Sequence, residues 1–89
     1  MNERPFVEVF VEDHCPSCEA VVRTLKPFAE NELIFLRIYQ KGGDDSLFAK
    51  RNVTSIPTTY VNGRAAFHGE FTRGEFRYYL FRHQAVVED

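Results

Sequence analysis

Cysteine is scarce in this chain, and tryptophan is absent: the sequence holds two cysteines, Cys15 and Cys18, three histidines and one methionine. A closed zinc site needs four nitrogen or sulfur ligands. Two thiols and three histidines, none at a zinc-finger spacing, argue against such a site and against a bridged iron–sulfur cluster. Long apolar runs are missing as well. No segment approaches membrane-spanning length, and Met1-Asn2-Glu3-Arg4-Pro5 lacks a basic region followed by an apolar stretch, so neither a membrane span nor a secretory leader is expected. A cytoplasmic protein is the expectation, and in that compartment a purely structural disulfide is disfavoured. Charge of one sign is also lacking. The formal net charge is −2 and the Lys and Arg residues are scattered, which leaves no basic stripe for nucleic acid. Repeats and low-complexity segments are absent too, so residues 1–89 are expected to form one domain, folded apart from a few terminal residues and acting as a monomer.

What is present is enough for a packed interior: 44% hydrophobic residues, with nine Phe and four Tyr. Phe6-Val7-Glu8-Val9-Phe10-Val11 is short, β-branched and nearly continuous in hydrophobicity, as a buried strand would be. Glu8 is its one polar interruption, and the plain reading of it is a side chain that faces solvent on an edge of the sheet. Beyond Cys18 the apolar positions Ala20, Val21, Val22, Leu25, Phe28 and Ala29 recur at spacings of three and four, the pattern of an amphipathic helix. Pro27 lies inside it and should kink it. A second strand is predicted over Leu33–Tyr39, and a short helix over about Ser46–Arg51. Strand, helix, strand at this spacing implies a parallel pair. Asn62-Gly63 between Thr58–Val61 and Arg64–His68 is a hairpin signal, because both turn positions favour positive φ. Thr72-Arg73-Gly74-Glu75 has capping-box spacing, and Phe76, Tyr79, Leu80 and His83 follow at helical intervals toward a frayed acidic tip. The aromatic cluster Phe76, Tyr78, Tyr79 and Phe81 reads as core plus one or two exposed rings, with no basic stripe to make it a stacking platform. The order is β-α-β-α-β-β-α, an α/β fold with a mixed four-stranded sheet and helices on both faces.

The chemistry is carried by Cys15-Pro16-Ser17-Cys18. This spacing lets the first cysteine stand at a helix N-terminus and the second one turn inside, within reach of a disulfide. Unpaired backbone N–H groups and the helix dipole stabilise a thiolate there, which makes Cys15 the expected nucleophile and Cys18 the resolving thiol. His14 can tune Cys15 as an adjacent imidazolium, or stand as a solvated surface residue beside Glu12 and Asp13. His68 and His83 read as ordinary surface residues. Pro57 opens a predicted strand, where a proline is either tolerated at the entry or held in a cis bond after Ile56.

With its strand, C-x-x-C, helix containing Pro27, Val53-Thr54-Ser55-Ile56-Pro57-Thr58, Asn62-Gly63 hairpin, Gly69 and last helix in this order, the chain resembles the thioredoxin/glutaredoxin superfamily. The resemblance implies the thioredoxin fold over nearly the whole length. It makes Pro57 a cis-proline facing the disulfide, Ile56 the residue whose backbone pairs with an extended substrate, and Gly69 part of the groove, alongside Pro16 and Ser17. The function so implied is a thiol–disulfide oxidoreductase that acts on protein disulfides without a cofactor, with a reductase or glutathione as electron donor. Pro16-Ser17 is nearer the glutaredoxin dipeptide. Yet a Gly-Gly-acidic run is replaced by His68-Gly69-Glu70, and Glu12, Asp13 and His14 stand where a basic residue is usual; the two acids disfavour both a glutathione carboxylate and the Cys15 thiolate. The thioredoxin tryptophan is His14 here. The family's buried aspartate, proton partner of the resolving cysteine, falls at Val9, so Glu8 or a bound water has to substitute, or proton transfer is slower. A glutathione-dependent glutaredoxin, a metal or iron–sulfur protein and a non-catalytic peptide-binding module are the alternatives.

Overall fold

The computed structural model describes residues 4–87, with side chains through residue 83. Its elements are β1 (Phe6–Val11), α1 (Pro16–Glu30), β2 (Phe35–Gln40), α2 (Asp45–Lys50), β3 (Thr58–Val61), β4 (Arg64–His68) and α3 (Arg73–Val87). The strands form one sheet in the order β2-β1-β3-β4. β1 runs parallel to β2 and antiparallel to β3, and β3 is antiparallel to β4. This is the mixed α/β sheet that the sequence pattern predicts. The ends expected to fray, residues 1–3 and 88–89, lie outside the described residues.

Local chemistry explains each boundary. Asn62 and Gly63 take φ of 51° and 84°, the paired positive values of a two-residue hairpin turn. The Asn62 side chain also accepts the Phe6 N–H at 2.8 Å, which ties the hairpin to the start of β1. At the end of α1, Glu32 is left-handed (φ 60°), and the Leu33 N–H donates to Phe28 O at 2.9 Å, closing the helix in the manner of a Schellman turn. Leu33 therefore spends its amide on the helix rather than on a strand. The β2 ladder begins two residues later than its composition predicts, where Phe35 N–H reaches Pro5 O. The short helix likewise runs from Asp45 rather than Ser46. α1 stays helical through Pro27. Thr72 and Glu75 form the reciprocal capping box that starts α3, at 2.7 and 3.0 Å.

One layer of the core lies between the sheet and helices α1 and α3. It gathers Val7, Val9 and Val11 of β1 with Cys18, Val21, Leu25 and Phe28 of α1 and Phe76 of α3. The opposite face carries Phe10, whose ring meets Phe48 of α2 edge-on at 4.9 Å. Glu8 belongs to that opposite face, because side chains alternate along a strand. The expectation that Glu8 faces solvent at an edge is incorrect: β1 is an interior strand, and Glu8 is 3% exposed. Its carboxylate accepts from Arg51 Nη2 at 2.9 Å and from the Tyr39 hydroxyl at 3.1 Å. Tyr78 and Phe81 of α3 are exposed, at 59% and 70%.

Candidate active site

The turn that leaves β1 delivers the cysteines to the head of α1. Cys15 is extended (φ −127°, ψ 93°) and is the N-cap of the helix, with Pro16 in the first helical turn. Its sulfur fills the place of a Ser or Asp cap: Cys15 Sγ accepts the Cys18 N–H at 3.1 Å. Proline is tolerated in that turn because its missing N–H has no partner there in any helix. The Cys15 carbonyl then accepts the Glu19 N–H at 3.1 Å. Cys15 and Cys18 are joined by a disulfide, with Cα atoms 5.2 Å apart. Cys15 is half-buried and Pro16 is exposed at the mouth, whereas Cys18 is sealed at 3% exposure. An accessible sulfur at a helix N-terminus with a covered partner one turn in is an arrangement suited to thiol–disulfide exchange.

Charges of both signs ring this sulfur pair. A cleft of about 520 Å³ beside it is lined by Glu12, Asp13, His14, Cys18, Arg23 and Lys26, among others. The acids on its rim are partly engaged: Gln40 Nε2 donates to Asp13 Oδ1 at 2.9 Å, and Lys41 Nζ lies 3.9 Å from Glu12. His14 is exposed on a left-handed turn (φ 55°).

The other wall comes from β3 and β4. Phe10 pairs with Thr58, so the residues before Thr58 stand at the same end of the sheet as the exit of β1 toward Cys15. The Ile56–Pro57 peptide bond there is cis. Pro57 is buried, and its carbonyl accepts the Gly69 N–H at 2.8 Å. Gly69 takes φ 93°, a conformation that favours glycine over any residue bearing a Cβ. The Thr58 hydroxyl donates to the Ser55 carbonyl and lies 3.4 Å from His68 Nδ1, which fastens the segment leading into Pro57. Among the described residues, Ile56 makes no hydrogen bond in the turns and loops, leaving its amide and carbonyl open. Ile56 also lines a second cleft of about 410 Å³ with Glu12, Lys41, Phe48 and Ser55.

The structure thus gathers Cys15, Pro16, Ser17, Cys18, Ile56, Pro57 and Gly69 at one end of the sheet. It does not bring Glu8 to Cys18: the carboxylate lies on the opposite face with Arg51 and Tyr39, so Glu8 does not substitute for an acid at the Val9 position. Burial raises the Tyr39 hydroxyl above its ordinary pKa, and its hydrogen bond to Glu8 adds to the effect. His68 and His83 are exposed; His83 stacks on Tyr79 at 4.0 Å. Two residues carried no signal in the sequence: Thr59, whose hydroxyl is buried and without a partner among the described residues, and Arg51, which pairs with Glu8 across 43 positions.

Residues 6–80 match a family model described as a thioredoxin domain. No curated protein sequence matches the chain. Solved structures do: Fasciola hepatica thioredoxin superposes with a TM-score of 0.75 at 21% identity, over 92% of this chain and 83% of that one. A chloroplastic thioredoxin z gives 0.79 at 14% identity, over 92% and 80%. Chlamydomonas reinhardtii thioredoxin f2 gives 0.69 at 16% identity, over 94% and 82%. At such identities the likeness establishes a shared fold.

Proposed function

Since this chain belongs to the thioredoxin domain family, we propose that it is a dithiol–disulfide oxidoreductase of one domain, acting on disulfides of protein substrates. The observation that carries the reading is the Cys15 cap: an accessible sulfur that already accepts a backbone N–H at the head of α1, bonded to Cys18. The same N–H and the helix dipole stabilise a Cys15 thiolate once the disulfide is reduced. That thiolate attacks a substrate disulfide and forms a mixed disulfide. Cys18 then attacks Cys15 Sγ, releasing the reduced substrate and leaving the protein oxidised.

Substrate is held mainly through backbone. The open amide and carbonyl of Ile56 accept an extended segment as an added strand, with Pro57 and Gly69 flooring the groove and Pro16-Ser17 forming its lip. This mode reads little side-chain sequence, so it suits varied protein disulfides. The acids at positions 12, 13 and 19 favour a protein donor over glutathione, whose carboxylates they would repel. None of the described helices is long and apolar enough to cross a membrane. Among the described residues no three His, Cys, Asp or Glu side chains gather to hold an ion.

One assay series tests this. Reduction of insulin-type disulfides should proceed with NADPH and a thioredoxin reductase and be slower with glutathione and its reductase. Cys15→Ser should abolish it, and Cys18→Ser should accumulate mixed disulfides. Retained turnover in both variants would falsify the mechanism.

A further inference from the structure

β2 ends the sheet: among the described residues no strand lies beyond it. Backbone groups alternate in direction along a strand, so every second residue of β2 points its N–H and C=O away from β1. Phe35 N–H donates to Pro5 O and Lys41 N–H to Val11 O, both at 2.9 Å, which aims the odd-numbered residues at β1 and the even-numbered ones outward. Gln40 is already served on the outer side. Its N–H donates to the Asp44 carboxylate at 2.8 Å, and its carbonyl accepts from the Gly43 and Asp44 N–H groups. Leu36 and Ile38 have no such partners among the described residues, so their N–H and C=O groups stand open on the edge.

The two sides of this edge differ in chemistry. Register with β1 puts Phe35, Arg37 and Tyr39 on the side of Glu8 and Phe10, and Leu36 and Ile38 on the side of Val7 and Val9. On the first side two cations are exposed: the Arg4 guanidinium lies over the Phe35 ring at 3.9 Å, and Arg37 follows two residues on. Neither has a carboxylate within ion-pair distance among the described residues. On the second side Ile38 is 42% exposed. A second copy of the chain fits this edge poorly. Antiparallel pairing about a twofold axis that satisfies every open group sets Leu36 against Ile38 of the second copy, and therefore Arg37 against Arg37, where like charges oppose it. Setting Ile38 against itself instead spends Leu36 on Gln40, whose groups are taken.

We propose that the β2 edge is a docking site for an extended segment of a partner protein in which acidic residues alternate with apolar ones. The segment adds a strand to the sheet: its backbone bonds to Leu36 and Ile38, its acids face Arg37 and Arg4, and its apolar side chains cover Ile38. Alternation serves both sides at once, because successive side chains of a strand point to opposite faces. Charge decides the occupant, since an acid turns the repulsion that Arg37 sets against a second copy into attraction. The edge lies across β1 from the strand that Pro57 leads into, and it uses neither cysteine, so the inference stands apart from the redox reading.

The probe is a synthetic peptide of about seven residues, glutamate alternating with valine and both ends capped, titrated into the isotope-labelled chain and followed by amide chemical shifts. The Leu36 and Ile38 amides should move on binding, and those of Ile56 and Gly69 should not. Added salt should weaken the complex, because its ion pairs are exposed. A peptide with lysine in place of glutamate should bind about tenfold more weakly, and Arg37→Glu should remove that preference. N-methylation separates strand addition from loose charge attraction. Methylating one alternating set of peptide amides should abolish binding, and methylating the other set, which points away from β2, should leave it. That pair of peptides needs no protein variant, so it decides the matter even if Arg37→Glu fails to fold. Absence of binding, equal effects of the two methylated peptides, or shifts at Ile56 and Gly69 with the β2 amides unmoved would each overturn the proposal. So would a concentration-dependent dimer of the unchanged chain that protects the Leu36 and Ile38 amides without peptide, which would assign the edge to a second copy.

Discussion

The two faces of the sheet are held by different forces, although the same strands supply both. Toward α1 and α3 the strands present Val7, Val9, Val11 and Val61, and the helices answer with Val21, Leu25, Phe28 and Phe76. Burial of surface holds that face, at about 1.5–3 kcal/mol for each large apolar side chain. Toward α2 the same strands present Glu8, Phe10, Thr58 and Tyr60, and α2, six residues long with none buried, has little area to offer. Directed bonds compensate there: the Glu8–Arg51 pair, the Tyr39 hydroxyl on Glu8, and the Tyr60 hydroxyl on the Arg51 carbonyl. The difference bears on chemistry. The cysteines grow out of the oily face, so the buried carboxylate of the opposite face does not reach them, and the backbone N–H at the head of α1 is what the sulfur of Cys15 meets.

The comparison breaks most visibly on the oily side. Phe76 is fully buried, with the Phe28 ring edge-on at 4.9 Å and Phe71 at 5.8 Å. Phe76→Ala should cost about 3–5 kcal/mol in urea denaturation, most of the stability of a domain this small. A loss below about 1 kcal/mol would mean that burial on this face is not what holds α3. The polar side comes next. Arg51→Ala leaves the Glu8 carboxylate buried with Tyr39 as its sole partner, and should cost about 3 kcal/mol, little changed by added salt. Lys41→Ala at the exposed Glu12 pair is the control, expected to stay within about 0.5 kcal/mol. Equal effects from the two ion pairs would erase the contrast between a buried network and a solvated one.

These forces also decide what could be read in advance. Signals that depend on a few adjacent residues came through: the Asn62-Gly63 turn, the Thr72–Glu75 box, the three-and-four spacing of α1, and the cysteines at its head. The polar side of the sheet did not. Glu8 looks like a surface residue in sequence because the cation that neutralises it is Arg51, 43 positions away, and no local pattern links them. Thr59 gives no signal for a related reason. Threonine is an ordinary strand residue, and only the register opposite Val9 places its hydroxyl in an apolar layer. The late start of β2 has a shorter-range cause, a helix-closing bond at Leu33 that competes with strand pairing.

Smaller changes sharpen the contrast. On the oily side the directed bonds are confined to helix ends. Thr72→Ala, which removes the hydroxyl accepting the Glu75 N–H, should therefore cost about 1 kcal/mol, measured by thermal unfolding, without altering the packing around Phe76.

At Tyr39 the expected effect is equally modest, and its pH dependence identifies the polar network more sharply than its size. Desolvation, reinforced by the hydrogen bond to Glu8, raises the Tyr39 pKa above its ordinary value of 10.0. A raised folded-state pKa stabilises the fold fully below the unfolded value and loses that contribution as pH climbs through the folded one. Tyr39→Phe should cost about 1 kcal/mol near neutrality, since it removes a single hydrogen bond to a charged acceptor on a partly exposed ring. Above about pH 10 the unfolded unchanged chain gains by releasing the phenol proton, and the phenylalanine variant has none to release. The stability gap between the two should therefore narrow between about pH 9 and about pH 11 in a urea titration series. A gap that stays constant across that range would mean that the Tyr39 hydroxyl is solvated rather than engaged with Glu8, and the face toward α2 would then rest on the Glu8–Arg51 pair and ring packing alone.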